Sequence, residues 1–229
     1  MPAINANQGD EVKWVSSDGK LNEYSTSRAW MDMKFNREKV NWSKLVWFSQ
    51  NIPRHAFILW VAANKKLTTQ DRLESWLVSN DKLYAFCNQV KDSHTHLFIE
   101  CQYAKDVWDH FRNKADLDDV IDIMYNGGIM WTDLFNMLAN KKCSKSIWSI
   151  IRRLVVAAII YHIWQERNDR LFKAGQRNVN TLCKHIEEVV RLRLMGLKIL
   201  KSHLSVVAAG IWKFKVMDVN QKQNVSSNQ

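Results

Sequence analysis

Residues 147–164 read Ile147-Trp148-Ser149-Ile150-Ile151-Arg152-Arg153-Leu154-Val155-Val156-Ala157-Ala158-Ile159-Ile160-Tyr161-His162-Ile163-Trp164. The run is apolar on nearly every side. A helix of that kind lies at the centre of a bundle, because no face of it can be left to water. The pattern predicts a helix from about Ile147 to Ala174, with Gly175 as its C-cap. Its apolar stretch Leu154–Trp164 has 11 residues and follows Arg152 and Arg153. A bilayer needs about 20, so the helix is read as a buried core element and no membrane partner is expected.

The rest of the chain agrees with a mainly α protein. Among 229 residues only 7 are Gly and 2 Pro, and 46% are hydrophobic. Val12 to Leu21 forms the exception, two short strands around Asp18-Gly19. Ser25-Thr26-Ser27 offers an N-cap for a first helix through Ala29, Trp30 and Met33. Pro53 suits the first turn of a helix running from His55 to Asn64. Thr68 or Thr69 caps the next, which carries Leu73, Trp76 and Leu77. Leu97, Phe98, Cys101, Ala104, Val107, Trp108 and Phe111 recur at helical spacing and predict one helix over 95–111. Helices over 131–140 and 180–204 complete the reading. The expected organisation is a tail and hairpin over 1–26, a compact helical domain over 27–112, and an acidic linker over 113–128. A basic helical region over 129–217 and a disordered tail over 218–229 follow.

Charge is unevenly placed. From Lys141 onward there are 17 Lys or Arg against 5 Asp or Glu, a net of +12, and the first 140 residues hold 16 against 18, a net of −2. A basic face attracts phosphate through counterion release. The side chains expected to carry such contact are Arg152, Arg153, Arg167, Arg170, Arg191, Arg193, Lys198 and Lys201. The plain alternative is a solvated helix surface. The opening residues lack a basic region followed by an apolar core, so an intracellular protein is expected. In that setting the four Cys are reduced thiols or metal ligands.

Three of the donors form a metal-site pattern. Cys87, His96 and Cys101 stand as Cys-x8-His-x4-Cys. Structural zinc takes four Cys or His ligands in a tetrahedron. Three residues before Cys87 stands Tyr84, and the nearest further donor is His94. A Cys2His2 set of Cys87, His94, His96 and Cys101 satisfies zinc chemically. Buried, metal-free thiols are the other reading of the same cysteines.

The surrounding blocks are specific. They are Val46-Trp47-Phe48, Ile52-Pro53-Arg54-His55, Phe57-Ile58-Leu59-Trp60, Leu67-Thr68-Thr69-Gln70-Asp71-Arg72-Leu73, His96-Leu97-Phe98-Ile99-Glu100-Cys101 and Val107-Trp108. Their order resembles the zinc-binding domain that follows the reverse transcriptase of plant LINE-type (non-LTR) retrotransposons. The resemblance is close over about residues 27–111. Looser echoes are Trp14…Asp18-Gly19-Lys20 and Tyr161-His162-Ile163-Trp164-Gln165-Glu166-Arg167-Asn168. In that family the pattern reads Cys-x2-Cys-x8-His-x4-Cys. Cys87, His96 and Cys101 therefore match ligand positions, and Tyr84 stands where the first Cys would be.

The resemblance implies Zn2+ as cofactor, RNA or DNA as partner, reverse-transcriptase machinery nearby and a nuclear location. Catalysis is not expected. No Tyr-x-Asp-Asp pair, Gly-rich phosphate loop or Gly-x-Ser-x-Gly is present, and Asp118-Asp119 reads as an acidic loop. The expected function is a non-catalytic, nucleic-acid-binding accessory domain. A retroelement remnant or protein–protein interaction module is the alternative, and a metal-dependent hydrolase on the His and Cys cluster a weaker third.

Overall fold

The computed structural model describes residues 12–34, 40–73, 86–87, 92–173 and 175–218. The two terminal tails apart from Asp218, helix positions Trp76 and Leu77, and Tyr84 lie outside the described residues. The chain divides into two units, residues 1–40 and 41–229.

In the first unit, β1 (Lys13–Val15) pairs antiparallel with β2 (Leu21–Glu23), Trp14 opposite Asn22. Gly19 turns the chain at φ +79°, a value that suits a residue without Cβ. Ser25 then starts α1 (Thr26–Met33). The Trp14 indole donates to Asp32 at 2.7 Å, tying hairpin to helix. The unit buries little. Ala29 is the buried residue of α1, and Trp30, Met31 and Met33 are exposed.

The second unit is helical: α2 (Ser43–Val46), α3 (Pro53–Ala63), α4 (Gln70–Leu73), a wide π-type turn over His96–Glu100, α5 (Gln102–Phe111), α6 (Asp118–Tyr125), α7 (Trp131–Asn140), α8 (Ile147–Phe172), α9 (Val179–Met195) and α10 (His203–Trp212). The helix predicted from 147 is α8, and it is the axis of the unit. It packs against α2, α3, α5, α9, α10 and the wide turn. By length and composition α8 could cross a membrane, but 83% of its apolar window is buried in the fold. Its N-terminus is capped by Ser146, which accepts from the Ser149 amide. Three Trp lock neighbouring elements through their indole N–H: Trp108 to the Phe98 carbonyl (2.8 Å), Trp131 to Ala62 (2.8 Å) and Trp212 to Lys114 (2.9 Å).

Four expectations are corrected. The helix expected over 95–111 is interrupted at Cys101, whose backbone is extended at φ −62°, ψ 131°. Residues 113–128 are not a linker. They carry α6 and bury Ala115, Leu117, Val120, Ile121 and Met124, while Asp116, Asp119 and Asp122 face outward to pair with Arg152, Lys141 and Arg112. The acidic face of an amphipathic helix looks like a linker when only charge is read. As a result, residues 41–112 and 129–217 share one core instead of forming two domains. The helix expected over 180–204 ends at Gly196, whose N–H bonds to the Leu192 and Arg193 carbonyls. A strap over 197–201 follows, and Ser202 caps α10. At the end of α8 the C-cap is Lys173 and not Gly175.

Among the described residues, two histidines are buried with no hydrogen-bond partner on either ring nitrogen. His55 (α3) and His162 (α8) are 0% and 1% exposed, and neither ring nitrogen of either has a hydrogen-bond partner among the described residues. The rings pack edge to face at 5.2 Å, with Tyr161 stacked on His55 at 4.3 Å and His185 against His162 at 4.7 Å. Burial pushes both imidazoles down to about 3, with the Arg54 charge adding to the effect on His55 and the His55 ring to that on His162. In the unfolded chain each takes a proton below about pH 6.5, so the unfolded state binds more protons between about 6.5 and 3. Stability must therefore fall as pH falls through that window. The slope reaches about 1.4 kcal/mol per pH unit for each histidine. We predict that urea midpoints drop steeply between pH 6 and 4, and that the His55→Leu, His162→Leu double variant has a flatter profile. Parallel profiles would show that these rings do not titrate on unfolding.

Candidate metal centre

The His-x4-Cys spacing poses a geometric problem for a regular helix. Residues five apart in an α-helix are rotated by about 140°, so they face away from each other. The chain solves this with the wide turn. The Cys101 amide bonds to the His96 carbonyl at 3.0 Å, an i→i+5 closure that brings the two side chains to one side. The extended Cys101 backbone then starts α5. The ligand spacing itself argued against a continuous helix.

Cys87 completes the group. The ligand atoms of Cys87, His96 and Cys101 all lie within 4.8 Å of one another, and Cys87 Sγ is 3.3 Å from His96 Nε2. For zinc bonded to sulfur at about 2.3 Å and nitrogen at about 2.0–2.1 Å, the S···N edge of a tetrahedron is about 3.6 Å. The residues present therefore fit zinc in donor type and spacing. Burial pushes the Cys101 thiol above its usual value, with the neighbouring Cys87 adding to the effect. Metal entry must displace that proton.

His94 does not join the three. It is 6% exposed, its Nδ1 lies 3.4 Å from Thr69 Oγ1, and its ring sits beside Phe98 and Trp131 at 6.4 and 6.3 Å. Burial pushes it down to about 4. The ring lines a cleft of about 520 Å³ with Lys65, Asp71, Arg72 and Trp131. A two-residue offset at the start of this turn sends the His94 and His96 imidazoles to different surroundings, which their nearness in sequence does not reveal. Tyr84 lies outside the described residues. Among those described, no other Cys, His, Asp or Glu completes the set.

The ligand turn is held in place by a residue far away in sequence. Asp92, two residues before His94, is 1% exposed and accepts from the Arg167 guanidinium of α8 through Nε (2.9 Å) and a short contact from Nη2. Arg167 also reaches the Thr68 carbonyl and lies over the Trp164 ring at 4.8 Å. Its neighbour Glu166 is fully buried and accepts from Arg170 Nε (2.8 Å), the Arg177 amide (2.8 Å) and Arg177 Nε (2.7 Å). Arg170 in turn covers Phe86 and Tyr103 at 4.4 and 4.8 Å. Phe86 adjoins Cys87, so the Cys87 side of the group is also fixed from α8. Glu166-Arg167-Asn168 lies in the looser family echo, but nothing in that stretch marks Asp92 as the partner of Arg167.

The candidate phosphate contacts are accordingly sorted. Arg152, Arg153 and Arg167 are 8%, 6% and 2% exposed. Arg152 pairs with Asp116 and the Lys142 carbonyl, and Arg153 donates to the Ser149, Ser144 and Lys44 carbonyls and lies over Phe48 at 4.2 Å. Arg170 is held by Glu166, and Arg193 donates to the Gln50 carbonyl at 2.8 Å. Arg152, Arg153 and Arg167 are buried and must spend their donors internally, and the half-buried Arg170 and Arg193 are also bonded into the fold. Arg191 pairs with Glu188 at the surface, Lys201 pairs with exposed Asp218, and Lys198 is exposed.

No curated protein and no solved structure matches the chain. Residues 24–108 match the family described as zinc-binding in reverse transcriptase. The match covers Cys87, His96 and Cys101, and the helix that anchors their turn, α8, lies beyond it.

Proposed function

We propose that this chain is a retroelement-derived, non-catalytic zinc-binding accessory protein that works beside a LINE-type reverse transcriptase and contacts RNA or DNA in the nucleus. The observation that carries the reading is the convergence of Cys87, His96 and Cys101 inside the segment that matches the reverse-transcriptase zinc-binding family. Bound zinc would act as a structural cross-link between the Cys87 loop and the wide turn. The chain's own residues do the rest: Asp92 and Arg167 fix the turn, and exposed lysines of the C-terminal part meet phosphate. With the internally bonded arginines removed from the footprint, Lys198 and Lys201 are joined among the described residues by other exposed lysines, including Lys142, Lys145, Lys184, Lys213 and Lys215.

A second reading has its own observation. Leu204, Val206, Val207 and Ile211 on α10 are 44–51% exposed, with Met195 and Leu200 beside them in sequence also exposed. Such a surface suits contact with another protein. Self-association without retention of nucleic acid would favour it.

Protein purified without added metal is predicted to carry about one zinc per chain. Cys101→Ser loses it, and His94→Ala keeps it because that ring lies outside the ligand group. A metal-free, well-folded wild type contradicts the reading. For nucleic acid, affinity for single-stranded RNA is predicted to fall steeply with salt. Lys198→Glu with Lys201→Glu weakens it and lowers the slope of log K against log salt by about 0.7 for each phosphate no longer neutralised. An affinity indifferent to salt contradicts nucleic-acid binding.

A further inference from the structure

His96 is gripped on both edges of its ring. Nε2 faces Cys87 Sγ at 3.3 Å, and Nδ1 lies 3.4 Å from Glu100 Oε2. The two nitrogens of an imidazole point in divergent directions, so the carboxylate stands on the side of the ring away from Cys87 Sγ. From this geometry we infer that Glu100 is a positioning residue of the metal centre. It orients the His96 imidazole and holds the proton on Nδ1, which leaves the Nε2 lone pair for the metal. The inference rests on the zinc-binding reading above.

The physical reasons are general. A histidine ligand is a good one only in the tautomer that presents a bare nitrogen, and the partner of the other nitrogen selects that tautomer. A carboxylate partner also raises the basicity of the ring and limits its rotation. Here the wide turn sets the pair: Glu100 follows His96 by four residues, and the His96 main chain is itself fixed by Ser93 Oγ accepting from its amide at 3.1 Å. Glu100 is not part of the core. Its side chain is 58% exposed, against 12% for His96. A carboxylate more than half exposed beside a largely buried imidazole contributes little to the core, and the metal-free midpoint reads whatever packing it does supply.

The experiment is a competition for zinc between the full chain and a chromophoric chelator, for wild type, Glu100→Gln and Glu100→Ala. The metal-free unfolding midpoint and the visible spectrum of the cobalt(II)-substituted protein are read alongside. Glu100→Ala is expected to bind zinc about 10–100-fold more weakly. Glu100→Gln, which keeps an acceptor but no charge, should fall between. The cobalt spectrum should keep its band positions, because the ligand set is unchanged, and the metal-free midpoint should not move. Equal zinc affinity in wild type and Glu100→Ala overturns the inference and leaves the zinc reading standing. A shifted cobalt spectrum in Glu100→Ala also overturns it, since that would make Glu100 a direct ligand. Absence of zinc in wild type brings down the zinc reading itself, which separates the two failures.

Discussion

The buried pair between Asp92 and Arg167 is the constraint on which the candidate site depends. It joins the stretch that leads into the ligand turn to the central helix, across 75 positions of sequence. Taking two charges out of water is costly, and the pair is held only because the guanidinium spends its donors on Asp92, the Thr68 carbonyl and Asn168 while its face covers Trp164. Removing either partner leaves an uncompensated buried charge, a loss of about 3–5 kcal/mol. The pair is thus weak as a source of stability over an apolar isostere but strict as a determinant of position. It sets where His96 and Cys101 stand relative to α8.

The matched family segment is, in this light, not a closed structure. Its helices α3 and α5 and the wide turn bury their apolar faces on α8, and both sides of the ligand group are anchored there: the His96 side through Arg167, and the Cys87 side through Arg170 over Phe86. The positive charge that the sequence concentrates after Lys141 is divided between two roles. The arginines of α8 hold the fold together, and lysines such as Lys184, Lys198 and Lys213 remain at the surface. The net charge of a segment gives no indication of this division, because arginine serves both roles with the same side chain.

Much of the architecture was legible. The all-round apolar run of 147–164 placed α8 at the centre, Pro53 marked the start of α3, and Asp18-Gly19 marked the hairpin, because each pattern has one low-energy backbone solution. The failures share a cause. Apolar periodicity carries a helix over 95–111 through Cys101, whereas the His-x4-Cys spacing requires the break that the structure shows there. Residues 113–128 read as a linker when Asp116, Asp119 and Asp122 are weighed without the interleaved and following Val120, Ile121 and Met124. At the site, Cys87, His96 and Cys101 could be named from spacing, since metal chemistry restricts it. Asp92 and Arg167 could not, because nothing local marks an aspartate as the partner of an arginine on another helix. His94 was drawn in by nearness in sequence, which says little about which side of a wide turn a ring will occupy.

The central claim is that the metal centre is positioned from outside the matched segment, by Arg167. The most direct test is the zinc-induced rise in unfolding temperature of the full chain, compared between wild type and Arg167→Lys, which keeps the charge but not the two-pronged bond to Asp92. Zinc bound to the folded state raises the midpoint by an amount that grows with the logarithm of its affinity. A clear rise is expected in wild type and a much smaller one in Arg167→Lys. An equal rise in both would contradict it, and would mean that the ligand turn finds its geometry without α8.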